Sequence, residues 1–200
     1  MYKMIPDQNT SLIIVDVQKD FCPGGSLAVP QGDKIIPVLN RYIEIFSKHN
    51  FHIFASRDWH PQNSRHFKTS GGKWPPHCVQ NSPGAQLHPE LKLPFNATII
   101  TKGTKPEENG YSAFEGSDSQ GQLLKEILEQ EKIRSLWIGG LATEYCVKTT
   151  ALDGQKAGFK VSILLDAIKG VNLLPSDSQN AIEEMIRNDI DTVTLERIID

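Results

Sequence analysis

Short apolar, β-branched runs alternate along this chain with stretches whose apolar residues recur every three or four positions. Residues 11–16, Ser-Leu-Ile-Ile-Val-Asp, form a continuous apolar run ending on a carboxylate. Such a run reads as a strand buried on both faces, as in a parallel sheet. Residues 52–56, 97–101 and 136–138 repeat the pattern, as do 160–165, which end against Asp166, and 191–195. Between them, residues 34–48 place Ile35, Val38, Leu39, Tyr42, Ile43 and Phe46 on helical spacing. Residues 120–130 do the same, turning Leu123, Leu124, Ile127 and Leu128 toward the sheet. Further helices are predicted over 143–156, with Thr143 as N-cap and Gly158 just past the end, and over 178–188. Strands alternating with helices predict an α/β fold. The expected architecture is a single-domain, three-layer, doubly wound fold spanning residues 1–200. Its central sheet is mostly parallel, with about six strands, and helices cover both faces.

Two segments break the alternation. Residues 61–96 have little periodicity and much Pro, Gly, Asn and Ser, yet carry Trp74, His66, His77 and His88. Residues 103–119 form a second polar loop, with Tyr111 and Phe114 inside it. Long irregular loops inside a compact domain tend to be functional. The aromatic residues and histidines argue against plain disorder.

Composition narrows the class of function. The 200 residues carry a net charge of -3, which gives no footprint for nucleic acid or an anionic membrane. No apolar run is long enough to span a bilayer, and the first residues lack the apolar region of a signal peptide. Three cysteines, an odd number, suggest a reducing compartment. The expectation is a soluble cytoplasmic protein.

The candidate chemistry lies at strand ends. Asp16, Asp58, Lys102 and Cys146 all fall at or just past the C-terminal end of a predicted strand, the edge where open α/β sheets build sites. Cys146 sits in the first turn after Gly139-Gly140-Leu141-Ala142-Thr143. There the helix dipole would lower its thiol pKa, and free N–H groups could stabilise an oxyanion. It also reads as a small residue packed under the sheet, as free cysteines often are. Asp16, its pKa raised by burial, could accept the thiol proton, with Lys102 holding it. The same two residues would also make a plain structural ion pair. Asp58 and His60 share one face of an extended chain, and with His77 they are suitable ligands for Zn²⁺, Fe²⁺ or Mn²⁺. His66 is a candidate additional ligand. Cys78, adjacent to His77, would point to the opposite side.

Five motifs in order give the chain a resemblance over nearly its whole length. They are Val15-Asp16-Val17-Gln18-Lys19-Asp20-Phe21, Ser56-Arg57-Asp58-Trp59-His60-Pro61, Trp74-Pro75-Pro76-His77-Cys78-Val79, Thr101-Lys102-Gly103 with Tyr111-Ser112-Ala113-Phe114, and Gly140-Leu141-Ala142-Thr143-Glu144-Tyr145-Cys146-Val147. With them the sequence resembles the nicotinamidase/pyrazinamidase branch of the isochorismatase-like cysteine hydrolases. Asn81-Ser82 and Glu144 depart from the pattern expected there, where Gly-Thr and Asp are usual. The resemblance implies a catalytic triad of Asp16, Lys102 and Cys146, and an oxyanion hole from the N–H groups of Ala142 and Cys146 beside a cis peptide at Leu141–Ala142. It implies one divalent metal, zinc first among the candidates, on Asp58, His60 and His77. It implies a substrate pocket of Phe21, Trp74, Tyr111 and Leu141 around a flat ring. The reaction implied is hydrolysis of nicotinamide, and also of pyrazinamide, to the acid and ammonia, within NAD salvage. Two other readings stand beside it: a related cysteine hydrolase for another small amide or ureido compound, and a non-catalytic metal-binding protein. No nucleic-acid or membrane partner is expected beyond the small amide; a homo-oligomer is compatible with the sequence, which leaves the oligomeric state open.

Overall fold

The computed structural model describes residues 6–198; residues 1–5, part of the opening read above, and 199–200 lie outside it. Six strands form one sheet: β1 (Thr10–Val15), β2 (Ile53–Asp58), β3 (Thr98–Lys102), β4 (Ser135–Leu141), β5 (Lys160–Lys169) and β6 (Asp191–Val193). Their order is β3-β2-β1-β4-β5-β6, and every neighbouring pair is parallel. The strands read as apolar runs because both faces are covered. On one face Leu12, Ile14, Ala55, Trp137 and Leu164 pack under α1 (Ile36–Lys48), which contributes Leu39, Tyr42, Ile43 and Phe46. On the other, Ile13, Val15, Phe54, Ile138 and Ile163 meet α2 (Leu124–Gln130), α3 (Lys148–Lys156) and α4 (Asp177–Arg187) through Leu124, Leu128, Ala151 and Met185. Among the described residues no helix is long and apolar enough to cross a membrane.

The strand order reverses direction between β1 and β4, and a crevice opens there at the C-terminal edge. Asp16 follows β1, and the segment carrying Cys146 follows β4. Gly140 makes the close approach possible. Its φ is +129°, and a Cβ there would lie 2.1 Å from the Val15 carbonyl oxygen, so no other residue fits beside β1.

Several expected boundaries differ. The residues before α1 form a 3-10 turn over Gly32–Ile35, and Pro37 marks the start of the α-helix proper. Residues 117–123 do not join α2: Ser117 bridges Thr101 and Leu123, which leaves Leu123 exposed rather than facing the sheet. β5 runs on to Lys169, so Asp166 lies within the strand. There it accepts hydrogen bonds from the Tyr42 hydroxyl (2.8 Å) and the Leu195 N–H (2.8 Å), and it is part of the frame rather than the strand-end site. The largest difference is at Cys146. Thr143 is not a cap. Residues Thr143–Val147 form a π-helical turn whose cap is Ala142, and α3 begins only at Lys148.

Candidate active site

Four ionisable side chains meet inside the crevice. Lys102 reaches from the end of β3, fully buried, and its ammonium donates to Asp16 Oδ2 (2.7 Å), to Asp58 Oδ1 and to the Gly110 carbonyl. Those three acceptors use all three of its protons. The Cys146 sulfur lies 3.8 Å from the same nitrogen. Asp16 takes a left-handed φ of +50°, which Asp tolerates better than most residues, and its Oδ1 accepts the Ser56 hydroxyl proton (2.7 Å). The Cys146 sulfur and carboxylate oxygens of Asp16 and Asp58 all lie within 4.8 Å of one another.

Burial and charge drive these groups apart in acidity. Burial raises Asp16 to about 6, against the pull of Lys102. Burial also acts to raise Asp58, but Lys102, His60 and His77 overcome it and hold that carboxyl below the usual range. The Cys146 thiol is pushed well above its usual value, first by burial and then by the two carboxylates, with Lys102 opposing. This corrects the expectation of a thiol acidified by a helix dipole. The resting thiol keeps its proton, and a base is needed to remove it. Asp16, poised near neutrality, has that property; Asp58, held ionised, suits a ligand.

The second half of the site is a cluster of imidazoles. His60 Nδ1 faces the Gly103 carbonyl (3.1 Å), and His77 Nδ1 faces the Pro75 carbonyl (2.8 Å). Carbonyls only accept, so both rings carry their proton on Nδ1 and turn a bare Nε2 inward. His60 Nε2 is buried without a hydrogen-bond partner, 3.4 Å from Asp58 Oδ2. His77 Nε2 lies 4.0 Å from the same oxygen. Donor atoms of His60, His66 and His77 lie within 4.8 Å of one another. Burial, with His60 and His77 nearby, lowers His66 to about 4, and burial lowers His77 as well. Imidazole nitrogens converging beside an ionised carboxylate fit a divalent cation. The expected set of Asp58, His60 and His77 is thus gathered in space, and His66 joins it. Gly103 packs so close that a Cβ would touch His60 Cε1 at 2.5 Å.

Between the two halves lies a small pocket that opens to solvent. Phe21, Trp74 and Tyr111 line it as expected, and so do Asp58, His66, His77, Ala142 and Cys146. Trp74 Nε1 donates to the Tyr111 hydroxyl (3.0 Å), tying two loops into one wall. Leu141 does not line the pocket. Its side chain is fully buried in the core on the α1 face, and the next residue, Ala142, takes its place at the cavity. The Leu141–Ala142 peptide is cis.

Tyr145 is the wall the sequence reading missed. It stacks near Tyr111 (centroids 6.2 Å, 22° between planes) and meets Trp74 edge-on at 5.1 Å. Its position directly before Cys146 was the available signal. Gln18 was missed too. Its side chain accepts the Asp58 N–H (2.8 Å) and donates to the Asp58 carbonyl (2.8 Å), fixing the backbone of a proposed ligand. It lies two residues from Asp16 across a tight turn, in which its N–H donates to the Asp16 carbonyl (2.8 Å).

The description "Isochorismatase domain" matches residues 10–196. A nicotinamidase of Escherichia coli K12 is 42% identical over 191 residues, covering 88% of this chain and 90% of that protein. The crystal structure of a Pyrococcus horikoshii pyrazinamidase in complex with zinc superposes with a TM-score of 0.86 at 47% identity, covering 94% of this chain and 99% of that one. A structure from L. infantum in complex with nicotinate superposes at 0.85 with 33% identity, covering 100% and 99%.

Proposed function

The chain belongs to the isochorismatase-domain family, and from that premise we propose that it is a nicotinamidase. It hydrolyses nicotinamide to nicotinate and ammonia through a thioester on Cys146, and accepts pyrazinamide in the same pocket. The observation that carries the mechanism is the meeting of the pocket-lining Cys146 sulfur with the Asp16 and Asp58 carboxylates within 4.8 Å and with the Lys102 ammonium at 3.8 Å. The nicotinamidase and pyrazinamidase relatives support the choice of substrate.

The pyridine ring lies between Phe21, Trp74, Tyr111 and Tyr145, where aromatic faces and edges favour a flat partner. Asp16 takes the thiol proton as the Cys146 sulfur attacks the amide carbon. The carbonyl oxygen becomes an oxyanion, held by the N–H groups of Ala142 and Cys146, each worth ~3 kcal/mol in such a role. The C–N bond then breaks. Asp16 returns its proton to the leaving nitrogen, ammonia departs, and the acyl group stays on sulfur. Asp16 next takes a proton from water as the water oxygen attacks the thioester. Nicotinate leaves, and the proton goes back to the sulfur. Burial acts to lower the Lys102 pKa, but Asp16 and Asp58 overcome it and hold the ammonium well above its usual value, so Lys102 keeps its proton and is not the acid. It is a fixed cation that keeps Asp16 in place.

Asp58, His60, His66 and His77 would hold the metal, and zinc suits this nitrogen-rich set. When bound, the ion supplies a Lewis-acidic site for the ring nitrogen, an orienting role. The reading keeps the enzyme in the cytoplasm, in line with three free cysteines, and places it in the recycling of the pyridine ring of NAD. The test is an acid-quenched reaction read by intact-protein mass spectrometry. A nicotinoyl adduct on the wild-type chain, absent from Cys146→Ala, is the expected result. Turnover by Cys146→Ala at the wild-type rate would overturn it.

A further inference from the structure

Asp20 is a buried carboxylate that the mechanism does not use, and among the described residues no cationic side chain lies within 4 Å of it. Backbone N–H groups hold it instead. Its Oδ2 accepts from Cys78 N–H (2.7 Å) and its Oδ1 from Ser26 N–H (3.1 Å), while its own carbonyl accepts from Leu27 N–H (3.0 Å). Gly84 presses on it from outside: a Cβ there would lie 2.2 Å from Oδ2.

Both of its side-chain bonds lead into the site. Cys78 directly follows His77, and its carbonyl accepts the His60 N–H (2.9 Å). Cys78 has a φ of +44°, a left-handed conformation that a non-glycine residue keeps only when its surroundings impose it. The Asp20 carboxylate on its N–H is such a constraint. The other bond fixes the turn before Leu27 and Val29, which line the same pocket as His66 and His77. Phe21, the next residue along, lies 5.5 Å from the His77 ring.

We propose that Asp20 is a positioning residue for the ring-binding half of the site. Through Cys78 it sets where His77 and His60 stand, and through Ser26 it sets the part of the pocket lined by Phe21, Leu27 and Val29. This rests on the reading of the pocket as a pyridine site beside a metal. Asp20 touches neither Asp16 nor Lys102 nor Cys146 in the hydrogen bonds of the site, so its removal spares the acyl chemistry.

The test uses two variants of the full chain. Asp20→Asn is nearly isosteric but replaces one acceptor oxygen with a donor group. Gly84→Ala keeps the charge and displaces the carboxylate. Zinc affinity is read by competition with a fluorescent chelator, and steady-state kinetics are run at saturating zinc. Loss of an outer partner of a metal ligand costs about 10- to 100-fold in affinity. The expected result is zinc binding weakened about tenfold and KM for nicotinamide raised by a similar factor, with kcat within about twofold of wild type. Folded variants that keep wild-type zinc affinity and KM overturn the proposal. So does a fall in kcat alone that tracks the folded fraction, which is what a merely structural residue would give. Should Asp20→Asn not fold, Gly84→Ala decides on the same readouts. A wild-type chain that releases no ammonia sinks the proposed function instead, and the zinc titration still decides the role of Asp20.

Discussion

Replacing Lys102 with Met removes one buried cation from between two buried carboxylates. In the native chain its ammonium is fully enclosed, 2.7 Å from Asp16 Oδ2 and bonded also to Asp58 and the Gly110 carbonyl. Removing one member of a buried ion pair costs about 3–5 kcal/mol, because the partner keeps its charge without compensation. Here two carboxylates lose their partner, so the upper part of that range applies. At about 2–4 °C per kcal/mol for a chain of this size, the melting temperature falls by roughly 10–20 °C. The sign of the pH dependence follows. In Lys102→Met the buried carboxyls bind protons more tightly folded than unfolded. Their protonated form therefore favours the fold at low pH, and that contribution is lost as pH rises. The deficit is smaller at pH 5 than at pH 8. Asp16→Asn alone leaves Lys102 paired with Asp58 and costs about 1–3 kcal/mol. The double variant leaves only Asp58 without its cation, so it is more stable than the sum of the singles predicts, by about 2 kcal/mol. Urea unfolding of the metal-free proteins, fitted with a common slope, measures all three. A Lys102→Met chain within 1 kcal/mol of wild type at pH 8 would refute the reasoning, as would strictly additive singles.

The acid limb of kcat/KM should fall near pH 6, because Asp16, raised to about 6, loses its role as base when protonated; a pH–rate profile in non-chelating buffers shows it, and an acid limb near pH 4 would contradict it. Asp58→Ala should lose bound metal and raise KM, measured by metal analysis and kinetics; unchanged values in both would remove Asp58 from the ring-binding side. Gly110→Ala should weaken zinc binding and lower kcat together by about tenfold, since its Cβ would lie 2.8 Å from Gly103 Cα and the carbonyls of these two glycines hold Lys102 and His60. Gly121→Ala, at a φ of +82° in open space, is the control for backbone strain and should change neither quantity.

The sheet was legible because a strand covered on both faces must be apolar throughout, and the runs ending at Val15 and Leu165 could be little else. Strand ends were less so. β5 continues past Leu165 through Asp166 because Tyr42 and the Leu195 N–H satisfy that carboxylate from other elements, which no local pattern announces. Residues 143–147 carry the composition of an ordinary helix start. Their π turn is a matter of which carbonyl Val147 N–H reaches, that of Ala142 (3.2 Å), and propensity does not encode it. Asp16, Asp58, Lys102 and Cys146 could be nominated because one sheet edge gathers strand ends. Asp20 and Gln18 could not, since Asp58, Cys78 and Ala85, which they bond, lie 40 to 67 residues away and a polar residue in a loop looks like surface until the chain folds over it. Leu141 misled for a simpler reason: beside a motif, a large apolar residue and its small neighbour exchange places at the pocket once the backbone direction is known.

The central claim is that one pocket joins a cysteine nucleophile to a metal that orients a pyridine amide. Ammonia release from nicotinamide by the purified chain tests it most directly, measured before chelation, after chelation and after zinc is added back. The account predicts release that vanishes with the chelator and returns with zinc. A zinc-loaded chain that liberates no ammonia from nicotinamide would contradict it.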